Sequence, residues 1–251
     1  MRLGALLGPI ADPSQASFLP EQARTYAGEG FESLWSAQAI GRGFMITDPV
    51  VALTVAATVT DSVEIGTAVV QLPLYHPADL AHRVFSLMQV CGDRLILGVG
   101  AGSTAQDFVA FGRHYDTRFA DFNAGVRSLR ALFATGKLGA VDLSPWPTLL
   151  GGPTLCLGSW GAGVERAARH YDGWIASGAY RSPDEVIAAL ARYRAAGGGR
   201  AIVSTLQLGP KTDLGEMKET LGRYAAAGFD DAVVMLMPGG PSASEARALV
   251  G

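Results

Sequence analysis

Gly30-Phe31-Glu32-Ser33-Leu34-Trp35-Ser36-Ala37 reads as a helix end that turns directly into a strand. The glycine suits a left-handed C-cap, the phenylalanine can plug the gap between helix and sheet, and Ser33–Ala37 is a short extended run. The same order returns late in the chain as Gly228-Phe229-Asp230 ahead of Asp231–Leu236. A turn repeated in this way marks a repeated β/α unit. Outward from these two places, short β-rich runs alternate with longer helical patterns. The strand candidates are Arg2–Leu7, Ser33–Ala37, Glu64–Val70, Arg94–Val99, Thr154–Leu157, Gly173–Ala176, Ala201–Leu206 and Asp231–Leu236. Such alternation calls for parallel strands with crossover helices. A doubly wound open sheet uses the same alternation, but eight strands in 251 residues favour a (β/α)8 TIM barrel, whose usual length is roughly 250 residues. The expectation is an α/β fold with one barrel domain over residues 1–251.

Helix punctuation supports the reading. Asp48-Pro49 places an N-cap aspartate and a first-turn proline ahead of Val50–Thr60, and Ser182-Pro183-Asp184-Glu185 is a capping box in front of Val186–Ala196. The stretch Thr135–Pro153, with Pro145-Trp146-Pro147 and Gly151-Gly152-Pro153, is the least regular and reads as a surface connection. Hydrophobic residues make up 49% of the chain and charged ones 17%, a balance that fills a closed interior and argues against disorder. A net charge of -3 leaves no basic face for nucleic acid. Apolar runs such as Val50–Val59 are too short to cross a bilayer, and Met1 leads into Leu3-Gly4-Ala5 without a signal-peptide pattern, so the expected location is cytoplasmic, with no membrane partner. Cys91 and Cys156 lie far apart and read as reduced, buried small hydrophobes.

In a barrel the loops after the strands form the active face. Two are rich in glycine: Gly98-Val99-Gly100-Ala101-Gly102-Ser103, and Gly158-Ser159-Trp160-Gly161-Ala162-Gly163, which runs straight into the helix Val164–His170. Free amides and the helix dipole make the second a natural cradle for a cofactor phosphate. Gly100-Ala101-Gly102-Ser103-Thr104-Ala105 spells a dinucleotide-like string, yet it follows the fourth strand, not the first. Leu157-Gly158-Ser159-Trp160-Gly161 lacks the first glycine of a nucleophile elbow. His76, His82, His114 and His170 form no pair at metal-ligand spacing, so no metal is expected. His76, before Pro77, reads either as a group facing the mouth or as an ordinary helix-entry residue. Gln38, Gln71, Tyr75, His76, Ser177 and Tyr180 fall near strand ends and are candidate contacts to a small-molecule substrate, or rim residues.

Five segments in register resemble the luciferase-like monooxygenase superfamily: Phe31-Glu32-Ser33-Leu34-Trp35; Ile65-Gly66-Thr67-Ala68-Val69-Val70 with His76-Pro77; Gly92-Asp93-Arg94 through Gly102; Asp107-Phe108 with Phe111-Gly112; and Ala167-Ala168-Arg169-His170-Tyr171-Asp172-Gly173-Trp174. The resemblance runs from about Arg2 to Gly178. It implies a barrel that uses either reduced FMN with oxygen or the deazaflavin coenzyme F420 for hydride transfer. It also implies a non-prolyl cis peptide at Ala68–Val69 behind the cofactor ring, a phosphate loop at Ser159, Trp160, Gly161 and Gly163, and Gly100, Ala101 and Gly102 flanking the ring. Gln38 stands where members often carry an acidic or histidine side chain, and Ala101 replaces the arginine that holds FMN phosphate in the luciferases. These departures favour F420, with Gln38 and His76 as the groups closest to catalysis. Arg42 could bring a cation towards the ring or an anionic tail. The chain is shorter than most members around Thr135–Pro153, which implies a less covered pocket. The readings are an F420-dependent oxidoreductase acting on a small organic substrate, an FMN-dependent monooxygenase, or a flavin-binding protein without catalysis. A homodimer is implied by the resemblance alone.

Overall fold

A computed structural model describes residues 1–8 and 18–250. The strands are β1 (Arg2–Leu6), β2 (Ser33–Ser36), β3 (Glu64–Thr67), β4 (Val70–Gln71), β5 (Leu95–Gly100), a small hairpin of β6 (Lys137–Leu138) and β7 (Val141–Asp142), β8 (Thr154–Gly158), β9 (Gly173–Ser177), β10 (Arg200–Leu208) and β11 (Asp231–Leu236). The helices are α1 (Phe18–Gly28), α2 (Pro49–Val59), α3 (Pro77–Cys91), α4 (Ala105–Ala110), α5 (Arg118–Thr135), α6 (Gly163–His170), α7 (Pro183–Ala195), α8 (Leu214–Ala227) and α9 (Ala243–Arg247). Outside the hairpin every strand pairing is parallel, in the order β3-β2-β1-β11-β10-β9-β8-β5-β4. Pairing of β3 with β5 closes the ring. The fold is a (β/α)8 barrel, with β3 and β4 together serving as its third stave.

The repeated turn holds atom by atom. Phe31 and Phe229 are buried, and each amide bonds to the carbonyl of a tyrosine, Tyr26 or Tyr224, against whose ring it also packs. The acidic residue that follows accepts a backbone N–H from the neighbouring strand: Glu32 from Leu3 at 2.8 Å and Asp230 from Ala201 at 2.7 Å. Asp172 does the same for Leu155 at 2.8 Å. The carboxylate therefore satisfies a strand amide that would otherwise be left unpaired at the start of the sheet.

Alternation along the strands sends Arg2, Glu64, Arg200 and Asp231 to the end of the barrel where the strands begin. Arg2 bridges Glu64 and Asp231 at 2.8 and 2.7 Å, and Arg200 bridges the same two acids at 2.7 Å each. Above them Leu6, Trp35, Ile96, Cys156, Ile175, Ile202 and Val233 fill the interior. The Trp35 ring lies so close to Gly66 that a Cβ there would sit 2.4 Å from it, and its Nε1 donates to Ser33 Oγ at 2.8 Å. Small residues on facing staves make room for one large plug. A second, larger core lies between strands and helices.

Helix starts follow the sequence reading. Asp48 accepts from the Val50 and Val51 amides, and Ser182 with Glu185 forms a capping box. The expected strand Glu64–Val70 is interrupted: the Ala68–Val69 peptide is cis, and the chain resumes as β4 against β5. β10 is longer than Ala201–Leu206 and carries a bulge between Val203 and Leu206, where Thr205 takes φ 64°. The stretch Thr135–Pro153 is not wholly irregular, since it contains the β6–β7 hairpin. It connects the end of α5 to the start of β8, which puts it at the end of the barrel opposite the active face. Its shortness therefore does not uncover the pocket, contrary to the expectation drawn from the resemblance. Both cysteines are free and buried. No described helix is long and apolar enough to cross a membrane.

Candidate active site

The mouth, where the strands end, has a floor of small side chains. At or just past the strand ends stand Gly8, Ala37, Ala68, Gly100, Gly158 and Ser177. Val69, turned by the cis peptide, wedges its side chain between two of them. A Cβ on Gly100 would meet Val69 at 2.9 Å and one on Gly158 would meet it at 2.7 Å. Ala68 and Val69 are partly exposed and pack on the inner cluster. The result is a shallow shelf, with Val69 as its raised centre, that offers a flat ring apolar contact and no steric obstacle.

One side of the shelf carries a buried polar network. Gln38 donates to the Tyr75 hydroxyl at 2.6 Å and accepts the Gln71 amide at 2.8 Å. The Gln71 side chain donates to Asp107, which also receives Arg42 through Nε at 2.7 Å and Nη2, and the Ile40 amide at 3.2 Å. Asp107 is fully buried. Burial alone would raise its pKa, but the donors from Arg42, Gln71 and Ile40 outweigh it and hold the carboxyl below its ordinary value. Burial pushes Tyr75 up to about 12, so its hydroxyl keeps its proton at neutral pH. Gln71 Oε1 is buried without a partner among the described residues. A Cβ on Gly102 would approach that atom to 2.6 Å and the Phe108 ring to 2.7 Å, so Gly102 is needed for packing, at φ 86°.

On the opposite side, β8 runs through residues 159–162 into α6. Ser159 Oγ donates to the Gly163 carbonyl at 2.9 Å, while the Gly163 and Val164 amides are taken by Trp160 and Gly161. The amides of Trp160, Gly161 and Ala162 have no protein acceptor among the described residues and lie at the positive end of the helix. Arg181 stacks over the Trp160 ring at 4.9 Å. Loops are short after β9, residues 178–182, and after β10, residues 209–213, whereas residues 37–48 after β2 form a long wall.

The model of the luciferase-like monooxygenase family matches residues 5–208. The chain belongs to that family. It is 34% identical over 110 residues to the 4-hydroxyprotoasukamycin monooxygenase of Streptomyces nodosus subsp. asukaensis, an alignment covering 41% of this chain and 30% of that protein. The match thus spans about 30% of that relative's length. A monooxygenase structure from Streptomyces bottropensis superposes with a TM-score of 0.80 at 19% identity, covering 99% of this chain and 96% of the other. An F420-dependent secondary alcohol dehydrogenase bound to an F420-acetone adduct gives 0.80 at 15% identity, covering 99% and 98%. At these identities the likeness is one of fold.

In this luciferase-like chain the fold brings Ala68, Val69, Gly100, Ala101 and Gly102 together on one flank of the mouth and places Ser159, Trp160, Gly161 and Gly163 on another. His76 is exposed and serves as the N-cap of α3, its Nδ1 accepting the Ala78 amide at 3.3 Å, which is the helix-entry alternative. Arg42 is bound to Asp107 and so is not a free cation for a ring or tail. Of the candidate substrate contacts, Gln38, Gln71 and Tyr75 are tied to one another, while Ser177 and Tyr180 are open at the rim. The sequence reading gave Asp107 no role of its own. Its one legible sign was an acid set beside Phe108, and the partner that explains it lies 65 residues away. No group of His, Cys, Asp or Glu among the described residues could hold a metal ion.

Proposed function

We propose that this chain is an oxidoreductase that uses coenzyme F420 to exchange a hydride with a small organic substrate. One observation carries the choice of cofactor: the strand ends that flank the shelf present Gln38, locked by Tyr75 and Gln71, and Ala101, with neither a titratable group nor a cation at either position. The residues present fit the cofactor in chemistry. Ala37, Ala68, Gly100 and Gly158 leave room for a planar ring, Val69 would back it, and the amides of residues 160–162 would receive a phosphate. F420, when bound, supplies the hydride donor or acceptor. The protein positions and polarises: Gln38 uses one of its two Nε2 hydrogens on Tyr75 and retains the other for a substrate oxygen.

A monooxygenase that uses FMN is the second reading, favoured by the 34% identical relative that carries a monooxygenase name. Parallel fluorescence titrations of the purified protein with F420 and FMN decide between them. Saturable binding of F420 alone is the expected result; FMN alone supports monooxygenation, and binding of neither removes both. A homodimer is part of the proposal, supported by the uncharged outer face of α2 at Val51, Thr54, Val55 and Thr58. Light scattering that gives a monomer at working concentration removes that part.

A further inference from the structure

The wall formed by residues 37–48 encloses more than the shelf requires. A cleft of about 560 Å³ runs along it, lined by Gln38, Ile40, Phe44, Met45, Ile46 and Asp48 among others. That volume is in the range of small-molecule sites, roughly 300–1,000 Å³. The cleft opens at the mouth, for it begins at Gln38, and Ile46 lies 3.8 Å from where a Cβ of Gly8 would sit at the end of β1. Phe44 is 59% and Met45 81% exposed. Large apolar side chains left in water beside an active face mark a surface with a ligand to cover it.

The charges decide which ligand. Arg42 belongs to the same wall but is turned away and neutralised by Asp107. Asp48 is the charged residue among the described lining of the cleft, and its carboxylate caps α2 through the Val50 and Val51 amides. Among the described residues an anion entering here would meet a carboxylate and no free cation, and would lose its hydration without return. At the inner end Gln38 offers a hydrogen-bond donor. We infer that the cleft is the substrate site and that it takes a bulky, uncharged, largely apolar molecule whose carbonyl or hydroxyl oxygen meets Gln38. The inference rests on the reading of the mouth as a cofactor site and adds the substrate class to it.

Protein labelled with 13C at the methionine methyls, with Met45 assigned through Met45→Leu, tests this with 2-acetylnaphthalene and its carboxylate counterpart 2-naphthoate. The ketone should shift the Met45 signal saturably and leave that of Met88, buried on α3, in place; 2-naphthoate should do neither at the same concentration. Phe44→Ser should weaken the ketone at least tenfold while the affinity for F420 or FMN stays as in the parent protein. Equal binding of 2-naphthoate, ketone binding that leaves Met45 unmoved, or no ketone binding overturns the inference. Absence of F420 and FMN binding beside an intact ketone response would remove the cofactor reading and leave the apolar site standing.

Discussion

Two glycines that touch large side chains separate stability from function. Gly66 faces the Trp35 ring deep in the barrel, where nothing can give way, so Gly66→Ala should cost roughly 1–3 kcal/mol through overpacking. Urea unfolding reads that loss directly, and an unchanged midpoint would mean that the ring is not wedged as described. Gly158 faces Val69 at the partly exposed mouth, where the side chain can shift upward. Gly158→Ala should therefore leave the unfolding midpoint close to that of the parent but weaken cofactor binding severalfold, because the centre of the shelf moves. Equal cofactor affinity would count against the shelf. The sequence shows both glycines but not this difference, because the distinction depends on which layer of the barrel each one faces. Trp35 is visible in the sequence only as part of a short strand; its place as the interior plug follows from the pairing register.

At the level of elements, the long wall after β2 is fastened by the Arg42–Asp107 ion pair to α4, an element that follows the fourth stave of the barrel. Asp107→Asn keeps the shape of the side chain and removes the charge that holds Arg42. The wall should then open to trypsin at the Arg42–Gly43 bond, with cleavage several times faster than in the parent, followed by mass spectrometry. A cleavage rate equal to the parent's would show that other contacts fasten the wall. Local signals served well wherever a cap or turn is a matter of neighbouring residues, as at Asp48, Ser182, Gly30 and Gly228. They failed where a distant partner sets the outcome. The residues of the third stave read as one continuous strand because Ala68, Val69 and Val70 all suit extended backbone; the cis peptide that divides β3 from β4 stands at Ala68–Val69, where the family resemblance and not the local pattern put it.

For the whole molecule, the ring is held at its closed end by the square of Arg2, Glu64, Arg200 and Asp231, which joins staves on both sides of the β1–β11 seam. Arg200→Met leaves the fully buried Asp231 with Arg2 alone and should cost roughly 3 kcal/mol. The affinity for cofactor should not change, since the square lies at the far end from the mouth; a parallel loss of affinity would show that the two ends are coupled. Burial tends to raise the Glu64 carboxyl, but Arg200 and Arg2 more than offset it and its pKa is lowered. Asp107 is lowered as well. Groups depressed in the folded state add stability above their unfolded pKa, roughly 4, and lose it as pH falls through the folded values. Denaturant midpoints should be level from pH 7 to about 5 and drop steeply below 4; a flat profile to pH 3 would remove the linkage. The barrel itself was legible because eight runs and their turns repeat one local pattern. The side of the barrel on which a connection lies was not, and that is why the segment before β8 was misread as a cover.

That segment has a practical use. Gly139 and Ala140, at the tip of the hairpin, are exposed on the end remote from the mouth, and both native cysteines are buried. Ala140→Cys would give a single reactive handle through which the protein could be fixed to a bead or an electrode, every molecule presenting the mouth of its barrel to the bulk solution.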